Sequence, residues 1–231
     1  MNTIQFPNFL ENLSSEFVPV VSSEFSKEDY IAIDLSENNK ELDKIDVSSS
    51  EAFEGYIESY LVKSRAKVAY GGYNETREIY RRSTHFNQQN PETERNIHLG
   101  LDIWCEAGTE ILAPLDGIVH SFKNNTNYGD YGPTIILEHT IQDITFYTLY
   151  GHLSTASLSS IKVGQKVVKG QVIAALGSAE VNGDYAPHLH FQIIKDMQGN
   201  TGDYPGVANK KRLIYYLDNC PNPNLLLKIA T

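Results

Sequence analysis

Cysteine is nearly absent from this chain. Only Cys105 and Cys220 occur among 231 residues, so a disulfide framework is not what holds the fold together. No apolar run approaches the roughly 20 residues that a membrane-spanning helix needs. Positive charge is scarce as well: 19 Lys and Arg stand against 29 Asp and Glu, a net charge of −10. That balance argues against broad nucleic-acid binding, and against adhesion to anionic polymers or membranes by bulk charge. The first residues, Met1-Asn2-Thr3-Ile4-Gln5-Phe6-Pro7, show no basic segment followed by an apolar core. No secretory signal is legible there, and the expectation is a cytoplasmic protein. Long internal repeats and low-complexity tracts are also missing.

What is present suits a globular chain. Hydrophobic residues make up 41% and charged residues 21%, enough for one sizeable domain with additions or two small ones. Residues 1–66 form a small mixed segment. Phe17–Val21 and Tyr30–Leu35 read as short strands. Residues 48–64 read as a helix, with Ser48 and Glu51 as a capping box and Phe53, Ile57, Tyr60 and Leu61 on one apolar face. From 67 to 231 the texture changes. Asn74 to Asn96 is polar and reads as a solvated connection, with Arg77, Arg81, Arg82 and Arg95 as candidate carboxylate binders. Residues 98–195 are a succession of short strands punctuated by glycine, which implies a mainly β (α+β) architecture built on antiparallel pairing. Lys211–Leu217 reads as a short amphipathic piece.

The chemistry concentrates in two motifs, His98-Leu99-Gly100-Leu101-Asp102 and His188-Leu189-His190. Histidines at i and i+2 project from one face of a strand, with α-carbons about 6–7 Å apart. His98 and Asp102 would lie about 13 Å apart on a straight strand, too far to share an ion. Gly100 between them permits the bend that brings them together. Two imidazoles and a carboxylate are a donor set suited to catalytic Zn²⁺, which keeps a further position open. Cys105 reads as a small buried residue. His85, His120 and His139 have no evident part in the site. Tyr147 and Tyr150 are candidates for lining it, although aromatic residues on strands more often serve packing.

HLGLD at 98–102, the Gly108-Thr109 and Ala113-Pro114 turns, YGHLS at 150–154, VGQKVVKGQ at 163–171 and PHLHF at 187–191 resemble, in that order, the lysostaphin-type (LytM-like) zinc endopeptidases. The resemblance covers about residues 95–195. It implies an antiparallel β-sheet peptidase domain with a groove over one Zn²⁺, held by His98, Asp102 and His190. It implies catalytic, non-ligand roles for His152 and His188, in an order that the sequence leaves open. It also implies a peptide or peptidoglycan-fragment substrate, and hence a cell-wall-facing location if the chain is exported by another route. Residues 1–66 are then either a lid over the groove or packing against the β domain. Two other readings compete. One is a non-catalytic regulatory or binding module on the same fold, which the retention of all five residues disfavours. The other is a biotinyl- or lipoyl-type carrier, suggested by VGQKVVKGQVIAALG, which leaves the histidines unexplained.

Overall fold

The computed structural model describes residues 5–230 except 84, 85, 87–89 and 91; His85 therefore lies outside the described residues. The strands, in chain order, are β1 (Tyr30–Ala32), β2 (Val68–Gly71), β3 (Ile97–His98), β4 (Leu101–Trp104), β5 (Glu110–Leu112), β6 (Gly117–Asn125), β7 (Gly132–Ile141), β8 (Ile144–Gly151), β9 (Lys166–Val167), β10 (Val172–Ala175), β11 (His188–Ile194) and β12 (Val207–Ala208). The α-helices are α1 (Phe6–Glu11), α2 (Ser50–Ser64), α3 (Leu213–Asn219) and α4 (Asn224–Leu227). Eight strands form the main sheet in the order β1-β2-β4-β11-β8-β7-β6-β9. All of its pairings are antiparallel except β1 with β2. Two small sheets, β5–β10 and β3–β12, flank it. The architecture is thus mainly β with a minority of helix. No described helix is long and apolar enough to cross a membrane.

Strand alternation decides which residues face the chemistry. On β4 and β11, Leu101, Ile103, Leu189, Phe191 and Ile193 point to the main core. There α1 and α4 cover them, contributing Phe9, Leu10, Leu226 and Leu227. The intervening residues Asp102, Trp104, His188 and His190 point to the opposite face. On that face α2 packs Phe53 and Ile57 against Leu35 and Trp104. Further along, α3 packs Tyr216 against Leu149, Ile194 and Tyr204. The ground between these two clusters is left open as a cleft.

Several local expectations are corrected. Phe17–Val21 is not a regular strand. Val18, Val20 and Val21 are buried, but only Val21 pairs, as an isolated bridge to Ile111. The strand expected over Tyr30–Leu35 is β1, three residues long. The helix expected at 48–64 is α2, but Ser49 caps it by accepting from the Ala52 N–H, while the Ser48 hydroxyl bonds Asp46. Helix α1 was not legible beforehand; Pro7 opens it and Phe9 and Leu10 anchor it. The described part of residues 1–66 thus supplies core side chains and a strand of the main sheet. Cys105 and Cys220 are both buried free thiols.

Candidate metal centre and catalytic cleft

His98 ends β3, and Asp102 is the second residue of β4. The two-residue step between the strands replaces the straight run that would have held them apart. Gly100 occupies this step because a β-carbon there would overlap the His190 ring. Across the sheet, Asp102 pairs directly with His190, and Trp104 with His188. The result is a set of three buried ligand atoms. His98 Nε2 lies 3.2 Å from Asp102 Oδ1, His190 Nδ1 lies 3.1 Å from the same oxygen, and the two nitrogens are 2.9 Å apart.

The hydrogen bonds on the far sides of the rings fix the tautomers. His98 Nδ1 faces the Gly72 carbonyl at 2.9 Å, and a carbonyl can only accept, so that nitrogen carries the proton. His190 Nε2 faces Gln192 Oε1 at 2.9 Å. The Gln192 amide is oriented by its NH₂ donating to the Pro205 carbonyl, so its oxygen accepts from His190. In the neutral rings, His98 Nε2 and His190 Nδ1 are therefore bare lone pairs, aimed at each other and at a carboxylate oxygen. Three converging acceptors repel unless a cation sits among them. Two imidazoles and one carboxylate, with ligand atoms all within 4.8 Å, are the chemistry that a divalent metal requires.

Ionisation follows from burial. Burial pushes His98 down to about 4 against the pull of Asp102, so the ring is neutral and ready to ligate at neutral pH. Burial opposes ionisation of Asp102, but His98, Arg77 and His188 outweigh it and hold the carboxyl well below the usual range. Burial likewise lowers His188, and lowers His152 strongly.

His188 and His152 stand beside this centre. His188 Nε2 is 3.9 Å from Asp102 Oδ1, and the His188 and His152 rings are 4.3 Å apart. Each Nδ1 donates to a backbone carbonyl at 2.7 Å, His188 to Ala186 and His152 to Asn182. Both Nε2 atoms are left bare, as a proton acceptor needs. His188 stacks on Trp104 at 5.5 Å. His152 has φ +62°, a left-handed conformation that a non-glycine residue holds at a cost of about 1–2 kcal/mol. Bonds from its N–H to Tyr131 O and from the Gly177 N–H to its carbonyl lock it there. Strain so fixed is a mark of functional sites.

The four histidines and Asp102 line one cleft of about 480 Å³. Leu42, Ile45, Val47, Asp203 and Gly206 line it as well. The structure also brings in residues that the motifs did not single out for this site. Gln192 orients the His190 ring, the Gly72 carbonyl orients the His98 ring, and Tyr131 packs 5.0 Å from the His190 ring. Gln192 follows the HxH pair at the same strand parity, which was the available signal. Other candidates fall away. Tyr150 is fully buried, and Tyr147 packs on His120; neither lines the cleft. His139 is buried between Asp116 O and Thr148 Oγ1. The arginines are engaged within the protein: Arg77 with Asp102 and Glu75, Arg81 with Glu78 and Glu94, Arg82 over the Tyr185 ring, and Arg95 with the Val207 carbonyl.

Comparison with known proteins converges on the same stretch. Residues 96–203 match Peptidase family M23. A metalloprotease of Haemophilus influenzae is 35% identical over 107 residues, 46% of this chain and 20% of that protein. The peptidoglycan DD-endopeptidase ShyA of Vibrio cholerae is 34% identical over 119 residues, 50% of this chain and 25% of ShyA. Among solved structures, the catalytic domain of the antimicrobial peptidase lysostaphin from Staphylococcus simulans is 26% identical. That alignment covers 52% of this chain and 80% of the domain, at a TM-score of 0.35. The chain spans 20% and 25% of the length of the two curated relatives named here. The cluster of His98, Asp102 and His190 lies within the stretch, residues 96–203, that is similar to Peptidase family M23.

Proposed function

We propose that this protein is a zinc-dependent endopeptidase. Its substrate is a peptide of peptidoglycan or a fragment derived from one. One zinc ion is held by His98 Nε2, Asp102 Oδ1 and His190 Nδ1. The observation that carries the reading is the convergence of three acceptor atoms whose tautomers leave no proton between them. When bound, zinc supplies Lewis acidity to the scissile carbonyl and to water. The rest of the work falls to the chain. His152 and His188 offer two bare Nε2 atoms; one takes the proton of the attacking water and delivers it to the leaving amine. The other, whose Nε2 is also bare, accepts a hydrogen bond from the attacking water and orients it towards the carbonyl carbon. Trp104 and the Ala186 carbonyl keep His188 aimed, and the Asn182 carbonyl does the same for His152.

The test is incubation of the zinc-loaded protein with a panel of muropeptides and glycine-rich peptides, read by mass spectrometry. Cleavage of an internal peptide bond that stops on chelation is the expected result. A protein that binds zinc yet cleaves no member of the panel favours the reading as a non-catalytic binding module.

A further inference from the structure

Asp102 has two carboxylate oxygens with separate environments. Oδ1 faces the imidazole nitrogens of His98 and His190. Oδ2 receives Nη1 of Arg77 at 2.5 Å. Arg77 is itself only 5% exposed, and its Nε donates to Glu75 Oε2 at 2.5 Å. The other Glu75 oxygen accepts from the Leu35 backbone N–H at 3.1 Å. A chain of contacts thus runs from the N-terminal segment through Glu75 and Arg77 to the candidate metal ligand. Room for the guanidinium comes from Gly72, at φ +98°, where a β-carbon would overlap Arg77. The same glycine's carbonyl orients His98. Burying an arginine and a carboxylate beside a half-buried Glu75 is expensive, and replacing such a buried ion pair by apolar side chains of similar volume is often neutral or stabilising. The arrangement therefore calls for a task beyond packing.

We infer that Arg77 is a positioning residue that reserves Asp102 Oδ2, so that Asp102 offers the metal one oxygen only. The inference rests on the zinc-site reading above. A three-ligand zinc site works by keeping a position open. A carboxylate free to turn would close on the ion with both oxygens and fill that position. Arg77 prevents this through a charge-assisted bond of fixed direction, which a planar guanidinium holds better than an ammonium does. Its positive charge beside the cation site would weaken metal binding if left alone. Glu75 offsets that charge, so the ionised group Glu75–Arg77–Asp102 carries a net charge of −1. Arg77 thereby sets the ligand's direction, and Glu75 sets the field in which the ion binds.

The experiment uses the full chain and two metals. Zinc affinity is measured by competition with a chromogenic chelator, and coordination is read from the visible absorption of the cobalt(II) form. Cobalt absorbs strongly when four-coordinate and weakly when coordination rises. Arg77→Lys keeps the charge but loses the fork. It should weaken zinc by about tenfold or more, the usual range for a residue that supports a ligand, and its cobalt band should lose intensity. Glu75→Gln keeps the shape and loses the charge. It should weaken zinc by about tenfold with a cobalt band like that of the parent, because Arg77 still holds Oδ2. A folded Arg77→Lys protein with unchanged zinc affinity and cobalt spectrum overturns the inference. Should Arg77→Lys fail to fold, unchanged zinc affinity in Glu75→Gln overturns it instead. Failure of the parent chain to bind either metal marks the loss of the zinc-site reading itself.

Discussion

Asp102 and His190 face one another in the antiparallel register of β4 and β11, and this pairing brings Oδ1 to 3.1 Å from Nδ1. Two of the three candidate ligands are thus cross-strand neighbours on a sheet whose other face is core. Neither can shift without moving Leu101 or Phe191 on the buried side. His98 completes the set from a separate small sheet, in which β3 pairs with β12. The centre therefore sits at a seam between two sheets, where an irregular backbone step is tolerated.

The first prediction separates metal binding from chemistry. His190→Ala removes one of the three proposed ligands, so zinc stoichiometry should collapse and turnover with it. His188→Ala leaves the ligand set intact, so zinc should stay while turnover falls by about 10²–10⁴, the contribution of a positioned acid–base group. His152→Ala should behave like His188→Ala. The two readings are zinc content and turnover for each variant. Loss of zinc from His188→Ala with retention in His190→Ala would reverse the assignment.

Gln192 provides the second. It accepts from His190 Nε2 and so keeps Nδ1 bare for the proposed zinc ion. Gln192→Leu is near in volume and cannot accept. Zinc affinity should drop by about 10–100-fold, since outer partners fix ligand orientation and basicity. Competition titration against a chelator measures this. An affinity equal to that of the parent would show that Tyr131, 3.5 Å from the same nitrogen, is sufficient to orient the ring.

How much of this was legible in the sequence differs by element. The HxH strand was readable because alternation alone puts His188 and His190 on one face, and β11 has that alternation throughout. Gly100 signalled the bend, although its second role, yielding space to the His190 ring, is a tertiary fact that no local pattern contains. The segment from Asn74 to Asn96 misled, because its mixed charges look like a solvated surface. Arg77 sits there buried, its Nη1 bonded to Asp102 and its Nε to Glu75 two residues before it. Composition reports polarity, whereas burial depends on a partner 25 residues away. Tyr150 follows the commoner rule for aromatic strand residues: although it stands beside the His152 motif, strand parity turns it into the core.

The third prediction concerns residues 1–66. Leu10 is fully buried among the main-core residues, and β1 extends the sheet beside β2 and β4. Leu10→Ala should destabilise the protein by about 2–5 kcal/mol, the range for truncating a buried leucine. Deletion of residues 1–66 should give insoluble or unfolded protein. Circular dichroism, soluble yield and turnover decide the matter. A soluble deletion with raised turnover would make the segment a lid.

The last prediction is a pH dependence of the metal-free protein. Burial lowers the folded-state pKa of His98, His152 and His188, and of His139 outside the site. The unfolded chain, with histidines near about 6.5, then binds more protons than the folded one as the pH falls below that value. Stability rises with pH wherever the unfolded state holds more protons, so it should be full above about 6.5 and decline on acidification. For His98 the window runs down to about 4, where the folded ring also protonates. His98 alone accounts for a loss of the order of 3 kcal/mol across it, at about 1.4 kcal/mol per unit of pKa. Asp102 acts in a lower window. Its carboxyl is held well below the usual range, so the stability it confers is present above about 3.8 and is lost only in stronger acid. Urea denaturation of chelator-treated protein between pH 7.5 and 4.5 should therefore show a midpoint that falls steadily, and His98→Asn should flatten the slope. Zinc should be released in the same interval, because protons and metal compete for the same nitrogens. A midpoint that holds or rises on acidification would mean that these rings are not buried as neutral bases, and the argument for the bare nitrogens of the metal centre would fail with it.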